Sequence, residues 1–289
     1  MKIVITGATG YIGRNLVKQA GEKHEVYAII RESSNISRIR NKAKECIVYD
    51  KNTIYDELKR IQPDIVIHLA GVFYSTHTKE NIATLLESNV CFGAIIVDAA
   101  VEAGCRKFIN TGTYWEHYNK ETYNPVNLYA ATKKAMEDLM LFYVKAKQCS
   151  CITLKIFDSY GPADERGKIL NLIKGLEEGS AIEMSPGEQK SFYCYIDDLV
   201  EGYICAITQI SNMLSGQYKA YVLRGEVPSR LKDVVDIYQR VNKKNIEVLW
   251  GKKAYREREI MDPSDIGEIL PGWKPKYDLE QGLQMMNRD

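Results

Sequence analysis

Apolar positions in the first 160 residues fall in short runs separated by amphipathic stretches. Lys2–Thr6 is a β-branched apolar run, the composition of a strand buried on both faces of a parallel sheet. Similar runs follow at Glu25–Ile30, 46–49, 64–68, 107–110 and 151–157. Between them lie helical patterns: Leu16, Val17 and Ala20; residues 55–61 ahead of Pro63; and residues 81–103, a long stretch that Gly93 is expected to interrupt. From Asn127 another helix is predicted, with Ala131, Ala135, Leu139 and Phe142 recurring on one face. Apolar strands alternating with helices predict an α/β protein built on a Rossmann, doubly wound parallel sheet.

Past 151–157 the pattern changes. Ser159-Tyr160-Gly161-Pro162 reads as a turn that stops the sixth strand. The strict alternation then fades. Helices are expected at 169–177, after Asp197-Asp198 and at 231–241, with strands near Ile182, near Tyr193, at 217–223 and at 246–249. This less regular half reads as a smaller C-terminal substrate-binding lobe. The expected division is 1–162 for the dinucleotide-binding domain and 163–289 mainly for the lobe, with some elements returning to the sheet.

The glycines after the first strand bring in chemistry. Gly7-Ala-Thr-Gly10-Tyr-Ile-Gly13 sits between a strand and a helix, the setting in which this spacing marks a dinucleotide site. Gly7 turns the chain off the strand, Gly10 lets backbone approach a pyrophosphate, and Gly13 lets the helix pack close. The helix N-terminus offers N–H groups and a positive dipole end to phosphate. The second strand ends at Arg31, where an acidic residue would bond the adenosine 2′-hydroxyl. Arg31, with Ser33, Ser34 and Arg38 nearby, suits the 2′-phosphate of NADP instead, and NAD is the less favoured cofactor.

Composition narrows the classes. The 289 residues carry a net charge of +1, which gives no general attraction to nucleic acid or anionic membrane. No uninterrupted apolar run reaches 18 residues, so nothing is expected to span a membrane, and no signal peptide is expected ahead of the first strand. Seven cysteines, an odd number, fit free thiols in a reducing cytoplasm. Cys149-Ser-Cys151 lacks ligand spacing and a nearby histidine, so no metal site is expected.

Tyr129 and Lys133 stand four apart on the helix that follows the fifth strand, and so share a face. An ammonium beside a phenol lowers the phenol pKa from about 10 toward neutrality, and such a tyrosine can exchange a proton with a carbinol oxygen. Tyr55/Lys59 and Tyr143/Lys147 repeat the spacing, but only Tyr129 follows the C-terminal edge of the sheet where ligands bind. Thr113 at that edge is expected to hold the substrate oxygen, or else to cap a backbone group. Tyr114-Trp-Glu-His-Tyr118 lines the pocket or packs the lobe boundary. His68 reads as a packed strand-end histidine.

The assembled set resembles the extended short-chain dehydrogenase/reductase family, from Lys2 to about Gly282. The matching pieces are the three glycines, His68-Leu-Ala70, Asn89-Val-x-x-Gly93, Thr113, Tyr129-x-x-x-Lys133, Tyr160-Gly-Pro162, Asp197-Asp198 and Gly272-Trp-x-Pro275. Within the family the chain is most similar to nucleotide-sugar 4-ketoreductases of the CDP-abequose and CDP-paratose synthase kind, a comparison supported by Gly187-Glu-Gln189 and Tyr195-Ile-Asp-Asp198. The resemblance implies Thr113, Tyr129 and Lys133 as the catalytic set. It implies a cofactor wall of Gly7, Thr9, Gly10, Tyr11, Ile12, Arg31, Asp50, Leu69, Ala70, Gly71, Asn89 and Phe157, together with Tyr129 and Lys133. Asp50 would lie near adenine, and Asn89 would support the lysine. A nucleotide-activated sugar would meet Thr113, Tyr114, Trp115, Asp158 and Lys190. A homodimer is a family expectation.

Three departures bear on the reaction. Tyr114-Trp115 stands where family dehydratases carry Asp-Glu, which argues against elimination of water. Ser191-Phe192 replaces the family's Arg-Asp, leaving Lys190 to meet the diphosphate. Asp158-Ser159 replaces the usual asparagine before Tyr-Gly-Pro. The resulting expectation is NADPH-dependent reduction of a 4-keto-6-deoxy sugar. The alternatives are a 4-epimerase that retains NAD and a cofactor-binding protein without turnover.

Overall fold

The computed structural model describes residues 1–287; residues 288 and 289, which end the second expected segment, lie outside the described residues. The first half runs β1 (Lys2–Thr6), α1 (Tyr11–Ala20), β2 (Glu25–Ile30), β3 (Glu45–Val48), α2 (Ile54–Ile61), β4 (Ile65–His68), α3 (Ile82–Leu86), α4 (Phe92–Glu102), β5 (Lys107–Thr113), α5 (Leu128–Lys147) and β6 (Ser150–Ile156). The second half runs β7 (Asp158–Tyr160), α6 (Ile169–Gly175), β8 (Ala181–Met184), β9 (Lys190–Ser191), β10 (Tyr193–Tyr195) and α7 (Ile196–Asn212). It continues with β11 (Tyr218–Leu223), β12 (Ser229–Arg230), α8 (Leu231–Asn242), β13 (Glu247–Trp250), β14 (Glu268–Ile269) and α9 (Leu279–Gln284).

Among the described residues, eight strands form one sheet in the order β14-β11-β6-β5-β4-β1-β2-β3, and every neighbouring pair is parallel. The expected Rossmann sheet is present. Its strands alternate between two cores, as the two-residue period requires. Ile3 and Ile5 face Leu16, Val17, Leu199 and Tyr203 on the side of α1 and α7. Val4 and Val66 face Leu58, Val97, Met136 and Met140 on the side of α2, α4 and α5. The strand order reverses between β2 and β4 at β1, so a crevice for ligand lies outside the C-terminal ends there.

Several expectations change in detail. The sixth strand does not stop at a turn: after Phe157 the chain extends again as β7, paired with β10. The 217–223 strand, read with the irregular half, pairs along β6 as part of the main sheet, and β14 follows on its far edge. The outer face of α5 is also corrected. Its buried residues are Ala130, Lys133, Met136, Glu137, Met140, Tyr143 and Val144, whereas Phe142 is exposed. The stripe through Ala131, Ala135, Leu139 and Phe142 is only partly buried: Leu139 packs against the core, while Phe142 is exposed.

Gly93 does not break the long helix. The irregularity lies upstream, where Glu87–Cys91 forms a π turn between α3 and α4. Gly93 is helical, and a Cβ there would lie 2.7 Å from Met136 Sδ and 2.8 Å from His68 Nε2, so its role is close packing. The joined run Ile82–Glu102 has the length and apolar composition of a membrane span, although no uninterrupted apolar stretch reaches that length. Its inner face, through Ile96, Val97, Ala99 and Ala100, belongs to the core.

Candidate active site

The glycine turn is built as its spacing requires. Gly7 has φ +68°, and a Cβ on it would lie 2.7 Å from Ala70 N. A Cβ on Gly13 would lie 2.1 Å from Gly7 O, so α1 packs directly on the turn. Gly10 caps α1 with extended backbone and no side-chain bond, which leaves the first N–H groups of the helix to a ligand. Thr9 and Ile12 are half-buried beside it. This cradle has no room for side chains and presents a helix N-terminus; it fits a dinucleotide pyrophosphate.

Tyr11 contributes to that turn by its backbone. Its side chain leaves the cradle: the hydroxyl is buried with no hydrogen-bond partner among the described residues, and the Arg166 guanidinium lies 4.3 Å from the ring centroid. Burial pushes its pKa well above the usual phenol value. Leu69 and Ala70 continue β4 past the sheet, and Ala70 N donates to Thr6 Oγ1 at 3.2 Å. His68 is fully buried, shares a hydrogen bond of 2.9 Å with Thr6 Oγ1 through Nδ1, and is pushed down to about 3 by burial. A proton carrier at neutral pH needs a pKa near that pH, so His68 is a packing residue.

Arg31 is exposed at the end of β2, with its backbone N–H donating to Ser34 Oγ at 3.0 Å. Arg38 does not stay in isolation. It pairs with Glu165, which also lies 3.7 Å from Arg14, while Arg14 donates to the Ala163 carbonyl. Arg14, from the first helical turn, was not among the expected residues; nothing local marks it, because Ala163 and Glu165 arrive from the other half of the chain. Asp50 is exposed just past β3 and caps its own turn, accepting from Asn52 N at 2.8 Å.

Asn89 sits inside the π turn and is completely buried. Its Oδ1 accepts from Val72 N at 2.7 Å, and its Nδ2 donates to Val72 O at 3.0 Å and Thr132 Oγ1 at 2.9 Å. It therefore ties to α5 through Thr132, the residue before Lys133. A Cβ on Gly71 would lie 3.1 Å from Asn89 Oδ1 and 3.9 Å from Lys133 Nζ, which places all three at the end of β4.

Asn127 caps α5, accepting from Ala130 N at 3.0 Å, and this cap fixes the turn that carries Tyr129. Phe73 lies edge-on to the Tyr129 ring at 5.0 Å and to Trp115 at 5.3 Å. Thr113 is buried and accepts from Trp115 N at 3.3 Å, which uses a lone pair and leaves its hydroxyl proton to donate. The pKa of Tyr129 runs opposite to the sequence expectation: it is pushed up to about 12, by burial first and by the Glu116 charge second. Lys133 is pushed down to about 8 by burial, with Glu116 opposing. Desolvation disfavours both charged forms, so at neutral pH Tyr129 is a phenol.

A cavity of about 270 Å³ opens beside this group, lined by Phe73, Tyr114, Trp115, Asp158, Lys190 and Arg256 among others. Phe73 connects it to Tyr129. Phe157 stacks on Tyr114 with centroids 4.4 Å apart, so it shapes the wall. The Asp158 carboxylate is shared internally: it accepts from Lys168 Nζ at 3.0 Å, Ser191 Oγ at 2.6 Å and Tyr114 Oη at 3.1 Å. Those partners hold its pKa below the ordinary value despite burial. Ser191, in the place of the family arginine, thus anchors Asp158. Lys190 reaches the rim and pairs with Asp262 at 3.7 Å.

Arg256 and Arg258, which also line the cavity, were missed. The Arg256 guanidinium lies 4.9 Å from the Trp115 ring centroid, and its Nε donates to Glu259 at 2.8 Å. The signal was the alternating charge of Tyr255-Arg-Glu-Arg-Glu259, which pattern alone assigns to a solvated loop.

The sequence model of the NAD dependent epimerase/dehydratase family matches residues 3–223. A CDP-abequose synthase of Yersinia pseudotuberculosis is 31% identical over 268 residues, which are 91% of this chain and 92% of that protein. UDP-glucuronic acid decarboxylase 6 of Arabidopsis thaliana is 27% identical, over 100% of this chain and 88% of its own length. The crystal structure of UDP-glucuronic acid 4-epimerase from Bacillus cereus, in complex with UDP-glucuronic acid and NAD, has a TM-score of 0.84 to this one at 22% identity, covering 99% and 97% of the two chains.

Proposed function

The chain belongs to the NAD-dependent epimerase/dehydratase family, and from that premise we propose that it reduces the C4 ketone of a nucleotide-linked 4-keto-6-deoxy sugar with NADPH, in deoxysugar biosynthesis. The observation that carries this reading is the aromatic pair immediately after Thr113. Elimination of water needs an acid and a base there. Tyr114 and Trp115 are instead buried aromatics, and Tyr114 Oη is committed to Asp158 and Ser191. Tyr129, joined to the cavity wall by Phe73, remains as the proton donor, which suits carbonyl reduction. The CDP-abequose synthase relative supports a ketoreductase over a dehydratase.

When bound, NADPH supplies the hydride for C4. The glycine turn and the N-terminus of α1 hold its pyrophosphate, Leu69, Ala70 and Gly71 form the wall beside it, and Arg31 meets the 2′-phosphate. Thr113 donates to the substrate oxygen and fixes it near Tyr129. Tyr129, a phenol at neutral pH, gives its proton to that oxygen as charge develops there. Lys133, at the next turn, stabilises the phenolate that remains. Buried Trp115 excludes water from this point, while Lys190 and Arg256 at the cavity rim meet the nucleotide diphosphate.

The test is absorbance at the NADPH band with CDP-, dTDP-, GDP- and UDP-linked 4-keto sugars made in situ. The expected outcome is one NADPH oxidised per sugar. A 4-epimerase that retains NAD is the second reading, favoured by the fold neighbour that holds NAD and a UDP-sugar. That reading prevails if no keto sugar consumes NADPH while a 4-hydroxy nucleotide sugar is interconverted at constant absorbance. A cytoplasmic homodimer completes the proposal. Exposed Phe142 on α5 marks the face offered to a second copy, and light scattering of the purified protein checks the mass.

A further inference from the structure

Between β6 and α5, the helix of Tyr129 and Lys133, lies a group of charges with no part in the steps above. Glu116 ends the short 3-10 turn after Thr113 and is 1% exposed. Its Oε2 lies 2.8 Å from Nζ of Lys155, which stands on β6 opposite Gly112. Glu137 of α5 lies 3.8 Å from Lys155 and 3.2 Å from Lys134. Among the described residues, Glu116 Oε1 is buried without a hydrogen-bond partner. A second cavity, about 320 Å³, opens onto Glu116, Lys134 and Lys155, none of which lines the substrate cavity. Backbone bonds hold the segment in place: Asn124 N donates to Glu116 O and Val126 N to Trp115 O, both at 2.8 Å, just before the Asn127 cap of α5. The carboxylate is thereby tied to the start of the helix that bears Tyr129 and Lys133.

A buried carboxylate placed there acts on both groups in a definite direction. Negative charge disfavours a phenolate and favours an ammonium. We propose that Glu116 is a positioning residue that keeps Tyr129 as the phenol and Lys133 as the ammonium, biasing the pair toward proton donation and hence toward reduction. The directions agree: Glu116 is the charge that raises Tyr129, and it opposes the fall of Lys133. The other charged or titratable groups around Glu116 are Lys155 from β6, Glu137 and Lys134 from α5, and His117 and Tyr123 from its own loop. Tyr203 from α7 senses Tyr129, and His68 from β4 senses Lys133. The inference rests on the reading of Tyr129 as the proton donor.

The experiment is a pH titration of 13Cζ-labelled tyrosine by NMR, with the Tyr129 signal assigned from Tyr129→Phe. In the wild type that signal stays at its phenol position up to pH 10 or so. In Glu116→Gln the phenolate is easier to form, so the Tyr129 signal begins to move about one pH unit lower than in the wild type, read as partial titration at the alkaline end of the range. The basic limb of kcat/KM for ketone reduction moves the same way. A purely structural glutamate would lower stability and leave both midpoints unchanged, and coincident Tyr129 titrations overturn the inference. Should Glu116→Gln fail to fold, Glu116→Gln/Lys155→Met is compared with Lys155→Met alone, and the Tyr129 titration lies lower in the double variant. The NMR titration needs no turnover, so a failure to reduce any keto sugar would count against the proposed function alone.

Discussion

Three tyrosine–lysine pairs share one spacing, and the contacts of each phenol separate them. Tyr55 Oη and Tyr143 Oη both donate to the Asp98 carboxylate, at 2.9 and 2.8 Å, and burial with Asp98 raises both pKa values, that of Tyr55 to about 12. Among the described residues Tyr129 makes no such bond. Tyr129→Phe is therefore expected to lower turnover at least about a hundredfold while NADPH binding hardly changes. Tyr143→Phe should leave turnover near normal; equal losses in steady-state kinetics would sink the assignment. Arg31 gives a second prediction at this scale. A charge-assisted contact to the 2′-phosphate contributes roughly 1.5–3 kcal/mol, about a tenfold to hundredfold preference for NADPH over NADH. Dissociation constants of both cofactors should show that preference collapsing in Arg31→Ala. A preference that survives places the phosphate on Arg14 and Arg38 instead. The glycines, Thr113, Tyr129 and Lys133 were legible because their chemistry is local to a strand end and a helix turn. Glu116 and Arg14 were not: each is defined by a partner more than thirty residues away, Lys155 for one and Glu165 for the other. Arg256 was hidden in the same way, since it meets the site through the distant Trp115 ring.

Between residue and molecule, the π turn at Glu87–Cys91 carries more than its length suggests. A π turn lets one side chain leave the regular helical spacing. Here it aims Asn89 at Val72 and Thr132, so one amide links the loop after β4 to the first turns of α5. The helical period predicted one long helix with a break at Gly93, because a glycine is visible in the sequence whereas the partners that hold Asn89 in the π turn, Val72 and Thr132, are distant in it. The period also cannot say how deeply each position of α5 is buried, and Phe142, on the predicted stripe, is exposed. Asn89→Ala removes three hydrogen bonds and leaves the Val72 N–H and the Thr132 hydroxyl short of partners. About 1–3 kcal/mol of stability should be lost, seen as a lower midpoint in urea with an unchanged slope. NADPH should also bind more weakly, because Val72 adjoins the Leu69–Gly71 wall. Unchanged unfolding and cofactor binding would show that the link is idle.

At the scale of the whole molecule, the two halves do not part at Pro162. One core runs from Ile3 and Ile152 through Leu199, Leu223 and Leu270 to Trp273 and Leu283. The second half supplies β11 and β14 to the sheet and α7 to its face. Two motifs shared with the family act as ties in this arrangement. Asp198 accepts from Lys276 N at 2.9 Å and Tyr277 N at 3.1 Å, and Trp273 Nε1 donates to the Asp198 carbonyl at 2.8 Å. Arg14 and Arg38 tie α1 and the loop after β2 to Glu165. A chain of residues 1–162 would keep every glycine of the cofactor turn. It would also leave β6 with a bare edge where six residues of β11 pair, and the faces of Ile3, Ile5 and Leu154 uncovered. An unpaired strand edge and exposed core favour association over folding. The 1–162 fragment should therefore fail to fold or bind NADPH, and the full chain should unfold in one transition by circular dichroism and by tryptophan fluorescence, Trp115 reporting from the site and Trp250 and Trp273 from the second half. A soluble fragment with native-like circular dichroism and cofactor affinity would show instead that the nucleotide half is an independent domain and that the shared core is an interface.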